Sequence, residues 1–497
     1  MAFGETSRVS RRKFLRSTTA ISAAAITGRG VYSVLDQFIN PTPAYAATVV
    51  SRDQEQYLVQ QLPAILDNGV TVVVPPIYND VFTAKLASGV NWTRATLQNA
   101  QKRLEAALVN IESPYAATAD GLTFVIAWGL PYFRTWVSTQ WQAKAPRDLA
   151  YSKATNKDQL AVLDAIAFPS DPKGPTGVKL EDNHVLFKIR SNSSSIVTDA
   201  ENKLFGDQNS VAFVGDLFQL TSKRIGFLGK GFGTTAAGTT LARDAQIPGA
   251  GLIPDKSQLS LGFTSTQTAA LGPDNIPSFE TLRGVTDQFP SGYFAHGAAM
   301  HLSHLELDLA NWYQRSYAKR VAAMMSSGTA VPSNDKTVTL PNGPAQVSTA
   351  AQVKAEATAY GTVGHNSALQ TATRLGADVL DNYGRLRRKG TAVPAREDFN
   401  TVDDPFAWFV DDQGIVHIPT THKAGLHFAV FVPTSFKFHT ARTAMDGILP
   451  DGTNLRDNEL KGNDSNIGFN SIMKATHRQN FALPPRAHRS FPLVELL

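Results

Sequence analysis

Between Thr93 and Ile111 the apolar residues Leu97, Leu104, Leu108 and Ile111 fall on one helical stripe, with Gln101, Lys102, Arg103 and Glu105 between them, which predicts an amphipathic helix. Strand signals flank it. Val70-Thr71-Val72-Val73-Val74 is β-branched and stopped by Pro75-Pro76, and Leu122-Thr123-Phe124-Val125-Ile126-Ala127-Trp128 is a continuous apolar run. His184 to Arg190 reads as a third strand, residues 195–205 as a helix, and Val211-Ala212-Phe213-Val214 as the opening of a fourth strand. The order β-α-β-β-α-β is that of a ferredoxin-like unit, whose antiparallel sheet carries both helices on one face.

The second half repeats the plan in outline. Phe294 to Leu307 reads as a strand running into a helix over Asp308 to Met325, and Gly425 to Phe431 as a strand followed by a helix near Phe438 to Met445. Leu122 to Phe133 and Leu426 to Phe438 echo one another, each an apolar strand, a Pro-containing turn and an aromatic entering a helix. The predicted fold class is therefore α+β: a duplicated ferredoxin-like architecture of the dimeric α+β barrel type, with antiparallel sheets and long loop insertions. Those insertions fall at residues 134–180, 222–292 and 326–350, which are rich in Gly, Pro, Thr and Asp without sustained periodicity.

The N-terminus changes the electrostatic picture. Ser10-Arg11-Arg12-Lys13-Phe14-Leu15-Arg16, the mild apolar stretch Ser17 to Ile26 and Ala44-Tyr45-Ala46 occur in the order of a twin-arginine signal, with cleavage expected after Ala46. Residues 1–46 are thus read as a signal peptide, 47–225 as an N-terminal ferredoxin-like half and 226–497 as a C-terminal one. The apolar stretch is too short to span a bilayer, so no stable membrane insertion is expected after cleavage, and the expected location is periplasmic or extracellular. The signal carries four net positive charges, and its removal takes the formal +5 to +1. A near-neutral surface lacks the counterion-release drive for nucleic acid, which is not an expected partner.

Cysteine is absent, which excludes disulfides, iron-sulfur clusters, thiolate-ligated haem and a Cys nucleophile. Any metal must sit on other side chains. Gly229-Lys230-Gly231-Phe232-Gly233-Thr234-Thr235 lacks the lysine spacing of a phosphate loop. On a strand, His301 and His304 point to opposite faces and form no ligand pair, and His296 is grouped with them as core or surface histidine. His417, His422 and His427 surround a predicted hairpin, but no His-Glu-x-x-His arrangement supports a zinc hydrolase. No Gly-x-Ser-x-Gly elbow supports a serine hydrolase either.

His365 stands apart, in the small-residue stretch Gly361-Thr362-Val363-Gly364-His365-Asn366-Ser367-Ala368, with Arg387 following in Leu386-Arg387-Arg388. A neutral imidazole can hold haem iron from one side while a guanidinium polarises peroxide on the other, although a Gly-His loop and a basic turn are also common without such a role. The strand ending in Gly129-Leu130-Pro131-Tyr132-Phe133, the segment His304 to Trp312, the Gly364-His365 stretch, Leu386-Arg387-Arg388 and Ala424 to Phe431 occur in an order and approximate spacing that resemble the dye-decolorizing peroxidase family over most of residues 68–447. That resemblance implies two ferredoxin-like halves, haem b held by His365 as iron ligand, Arg387 as distal arginine, and hydrogen peroxide with a small organic reductant as substrates. It leaves a homo-oligomer open.

One departure stands out. The family carries a Gly-x-x-Asp-Gly motif, and the segment that aligns here is Gly262-Phe263-Thr264-Ser265-Thr266, which puts Ser265 in place of the proton-shuttling Asp. A hydroxyl needs an activating neighbour before it can act as a base near neutral pH. Two outcomes follow: an exported haem peroxidase that relies on Arg387, with Trp312 as a candidate electron relay, or a relative that binds haem or another apolar ligand for iron acquisition, transport or scaffolding.

Overall fold

The computed structural model describes residues 52–497 apart from 63, 68–69, 74, 175–176, 229–256, 258, 264–275, 330–346, 402–404, 406–408, 411–415 and 418–422. The signal segment, the Gly229 to Thr235 loop, Ser265 and His422 lie outside the described residues.

Eight strands make up the core: β1 (Tyr78–Leu86), β2 (Thr123–Gly129), β3 (Val185–Ser191), β4 (Phe218–Phe227), β5 (Ala298–Leu307), β6 (Phe399–Thr401), β7 (Gly425–Val432) and β8 (Met473–Leu483). The first four pair in the spatial order β4-β1-β3-β2, the last four in the order β8-β5-β7-β6, and every pairing is antiparallel. Each set is the ferredoxin-like order, fourth strand beside first. The halves then join edge to edge at two seams, Phe481↔Gly129 and Ala482↔Trp128 between β8 and β2, and Asn400↔Phe227 between β6 and β4. Asn400 reinforces the narrower seam by donating its side-chain amide to the Phe227 carbonyl at 3.1 Å. Closure into an eight-stranded barrel leaves no long exposed edge.

The helices lie outside the barrel. Helix α1 (Arg94–Glu112), capped by the Thr93 hydroxyl, buries Leu97, Leu104, Leu108 and Ile111, the predicted stripe. Helix α2 (Ser194–Glu201) follows β3, and the chain continues into Phe205, which meets Phe82 and Phe187 of the sheet at ring separations of 5.3 Å. After β5 come α3 (Leu309–Gln314), α4 (Tyr317–Met324), α5 (Ala350–Tyr360) and α6 (His365–Thr373), and α7 (Ser435–Met445) connects β7 to β8.

Several expectations are corrected. The strand at Val70–Val73 pairs only with Ala64–Asp67 in a separate two-stranded ribbon, and the first barrel strand is Tyr78–Leu86. Asn79, Asp80 and Thr83 are buried in that strand and mask its apolar pattern. The fourth strand begins at Phe218 rather than at Val211, which lies in a turn. The segment read as loop from 134 contains two short helices, Ser138–Lys144 and Leu149–Thr155. Trp312 is fully buried, with its indole N–H donated to the Leu261 carbonyl at 2.9 Å, so it is a core residue and not a surface relay.

Charge fills the barrel interior. Lys188 and Arg190 of β3 are both fully buried and both bond the Glu397 carboxylate, Lys188 at 2.7 Å. Arg224 of β4 pairs with Glu181 at 2.7 Å. From the other half, the His304 and His427 rings meet at 4.9 Å, Phe399 lies 5.2 Å from His427, and the Lys188 ammonium sits 5.1 Å over Phe399. Residues 486–497 close the outer layer of the first half. Arg489 bonds Glu105 and Glu112 of α1, while Phe491 packs 4.9 Å from Trp128.

Candidate functional site

The loop that ends at His365 is built from glycines and one acid. Gly361, at φ +66°, stops α5, and Gly364 caps α6 so closely that a Cβ there would lie 2.4 Å from the Met325 carbonyl oxygen. Glu356 accepts the backbone N–H of Gly364 at 2.8 Å and of Ser327 at 2.6 Å, which ties the two turns together. On the far side, the Gly468 Cα approaches so that an added Cβ would lie 3.1 Å from that of His365, and the Phe469 ring packs 4.4 Å from the imidazole. His365 is therefore clamped at the first turn of α6.

Its imidazole is half-buried, and among the described residues neither ring nitrogen is held by a hydrogen bond. Burial, and then the charges of Arg396 and Arg442, push its pKa down to about 3. At neutral pH the ring is uncharged with an available lone pair, the state a metal ligand needs. Arg396 belongs to the short strand Ala395–Arg396, which pairs with β7 opposite Val430. The same guanidinium acts on Arg374 at the end of α6, where burial and Arg396 lower the pKa to about 10, and Arg374 donates to the Gly390 carbonyl at 3.2 Å. Arg442 on α7 is anchored by Asp446 and Ser170. The imidazole is thus neutral and within electrostatic reach of Arg396 and of Arg442, the latter already paired with Asp446.

Arg387 has a carboxylate partner of its own. It sits in a two-stranded ribbon formed by Val379–Leu380 and Leu386–Arg387, and its Nε donates to the fully buried Asp381 carboxylate at 3.0 Å. The cations that lower the His365 pKa are Arg396 and then Arg442.

The remaining histidines separate as strand alternation requires. His301 faces out of the barrel, stacked 3.6 Å from Phe438 of α7 and bonded to Asn480 at 2.7 Å, while His304 faces in, bonded to Thr476 at 2.7 Å. His296 precedes β5 and bonds Glu55 and Glu280. His427 is inside the barrel, and the His417 backbone lies in the separate pairing Phe409–Val410 with Val416–His417.

Acid sensitivity follows. His301 and His427 are held well below the usual imidazole range, first by burial and then by neighbouring cations or histidines. In the unfolded chain both protonate near pH 6.5, whereas in the fold they do not, so the unfolded state binds more protons below that pH. Their contribution is complete above about pH 6.5 and falls as pH drops, each with a slope of up to about 1.4 kcal/mol per pH unit. A urea midpoint that is markedly lower at pH 4.5 than at pH 7 is expected, and His427→Leu should flatten the dependence.

Comparison with known proteins now adds the family. The model of a family of unknown function, DUF7405, matches residues 86–485. The chain belongs to DUF7405. No curated protein matches it. Among solved structures, this DUF7405 chain is similar to a DypB variant in complex with heme from Rhodococcus jostii RHA1, at 11% identity over 84% of this chain and 96% of that one, with a TM-score of 0.44. It is also similar to ferric DtpA from Streptomyces lividans, at 13% identity over 86% and 95% with a TM-score of 0.48. The encapsulated DyP-type peroxidase from Mycobacterium smegmatis matches at 12% identity over 84% and 95%, with a TM-score of 0.42. No helix among the described residues is long and apolar enough to cross a membrane.

Proposed function

We propose that this DUF7405 protein is a haem-dependent peroxidase, exported by the twin-arginine route, that oxidises a small organic reductant with hydrogen peroxide. The observation that carries the reading is His365, an imidazole kept neutral, without a hydrogen bond on either ring nitrogen among the described residues, and influenced by the charges of Arg396 and Arg442. The donor set fits haem b: His365 would hold the iron, and the guanidiniums of Arg374 and Arg396 would pair with the carboxylate arms of the porphyrin or with anionic oxygen. When bound, haem b supplies the redox centre at which peroxide is reduced and the donor oxidised.

The chain's own residues set the terms of that chemistry. The clamp between Gly364 and Phe469 orients the imidazole. Arg396, whose charge acts on His365, is the arginine we assign the peroxide-polarising role that the resemblance gives to Arg387. A guanidinium stabilises a developing negative oxygen but accepts no proton, so the peroxide proton must go to another group. Ser265 offers only a hydroxyl. That feature supports the second reading, a haem-binding relative without peroxidase turnover.

Purified chain supplied with haem should show a Soret band and peroxide-dependent oxidation of a dye. Absence of the band overturns both readings, and a band without turnover from acidic to neutral pH selects the second.

A further inference from the structure

Away from His365, three chain segments converge on a cluster to which the haem reading gives no role. Glu55 comes from the start of the described chain, Glu280 and His296 from the connection between the halves, and their ligand atoms all lie within 4.8 Å of one another. His296 Nδ1 is 2.8 Å from Glu55 Oε1 and 3.4 Å from Glu280 Oε1. Two ligands at about 2.1 Å from a common ion, at right to tetrahedral angles, stand roughly 3.0–3.4 Å apart. The observed spacings bracket that range.

The electrostatics favour a cation. Glu280 is 1% exposed and Glu55 8%, so two carboxylates are taken out of water with a single imidazole between them. One Nδ1–H can satisfy only one of them at full strength. The other oxygen of Glu280 accepts the His296 backbone N–H at 2.7 Å, and Tyr383 donates its hydroxyl to Oε1 at 3.1 Å. The His296 backbone is held at φ +68°, in the left-handed region, which is unusual for a non-glycine residue. The His296 side chain is 40% exposed, which leaves an entry path and open coordination positions for water.

The geometry points to a divalent metal site formed by Glu55, Glu280 and His296, of the two-carboxylate, one-imidazole type that takes Zn²⁺ or a similar borderline cation. Binding would replace the His296 hydrogen bonds by bonds to the ion and tie the segment around Glu55 to the connection between the halves. It does not depend on haem.

The test is metal analysis of tag-free chain after exposure to Zn²⁺ and dialysis, with calorimetric titration of Zn²⁺ and thermal melts. Wild type should retain one equivalent and melt at a higher temperature with Zn²⁺. Glu280→Gln should weaken binding about 100-fold or more, as expected when a ligand is lost. His296→Gly should do the same, and glycine suits the left-handed backbone, so its loss of metal cannot be ascribed to misfolding. Should Glu280→Gln fail to fold, Glu55→Gln serves in its place. A wild-type chain that retains no Zn²⁺, or variants that retain as much as wild type, overturns the site.

Discussion

Glu397→Ala should destabilise the protein by about 3–5 kcal/mol or more, because it removes the carboxylate shared by two buried cations. Lys188 and Arg190 are 0% and 1% exposed, and both point into the barrel at Glu397. Burial already lowers the Lys188 pKa to about 8, against the opposing pull of Glu397. Without that pull burial drives the Lys188 pKa lower still, and Arg190 keeps its bonds to Thr123, Tyr57 and Gln56 but loses its carboxylate counter-charge in the interior. Denaturant midpoints measure the loss. Adding Lys188→Met to Glu397→Ala should recover part of it, and a cost below about 1 kcal/mol would show that the interior is wetter than the geometry implies.

The second large effect is on the cofactor. His365→Ala should reduce haem retention about 100-fold or more while leaving the fold intact, since the ring gives up no hydrogen bond and only its packing on Phe469. The Soret band and a thermal melt on the same sample separate the two effects. The arginines should divide cleanly. Arg396→Ala is expected to keep the band and to lower peroxide turnover by about 10²–10³, the scale for removing one stabilising donor. Arg387→Ala should instead lower stability by about 3 kcal/mol, because the buried Asp381 loses its counter-charge and keeps only the Tyr383 and Arg385 backbone N–H donors, and leave the turnover of the folded fraction unchanged. The reverse pattern would return the role to Arg387.

What could be read from the residues alone depended on whether local pattern and tertiary role agree. The α1 stripe, β2, β3, β5 and β7 bury enough apolar side chains to stand where the periodicity puts them, although β3, β5 and β7 also bury Lys188, Arg190, His304 and His427. Tyr78–Leu86 is the counterexample, since its inward polar residues find partners only after the barrel closes. The more apolar Val70–Val73 drew the assignment instead, although Asn68-Gly69 before it is a hairpin signal. The echo between Leu122–Phe133 and Leu426–Phe438 turns out to join β2 to β7, a second strand to a third, so it is not the axis of the duplication. The duplication lies in the matching pair orders of the two halves. Of the site, His365 carried a signal through its glycines. Arg374, Arg396 and Arg442 carried none, because each comes from a different element and only the fold brings their charges together.

Residues 486–497 give the chain an order of assembly. Phe491, Leu493 and Val494 fill the layer beside α1, with Trp128 and Tyr132 around them, and the Trp128 indole donates to the Arg489 carbonyl at 2.8 Å. The first half to leave the ribosome therefore waits for a plug made nearly four hundred residues later. Shortening the chain by a dozen residues at that end would expose aromatic surface on the opposite half, so the damage from such a truncation should appear far from the cut in sequence.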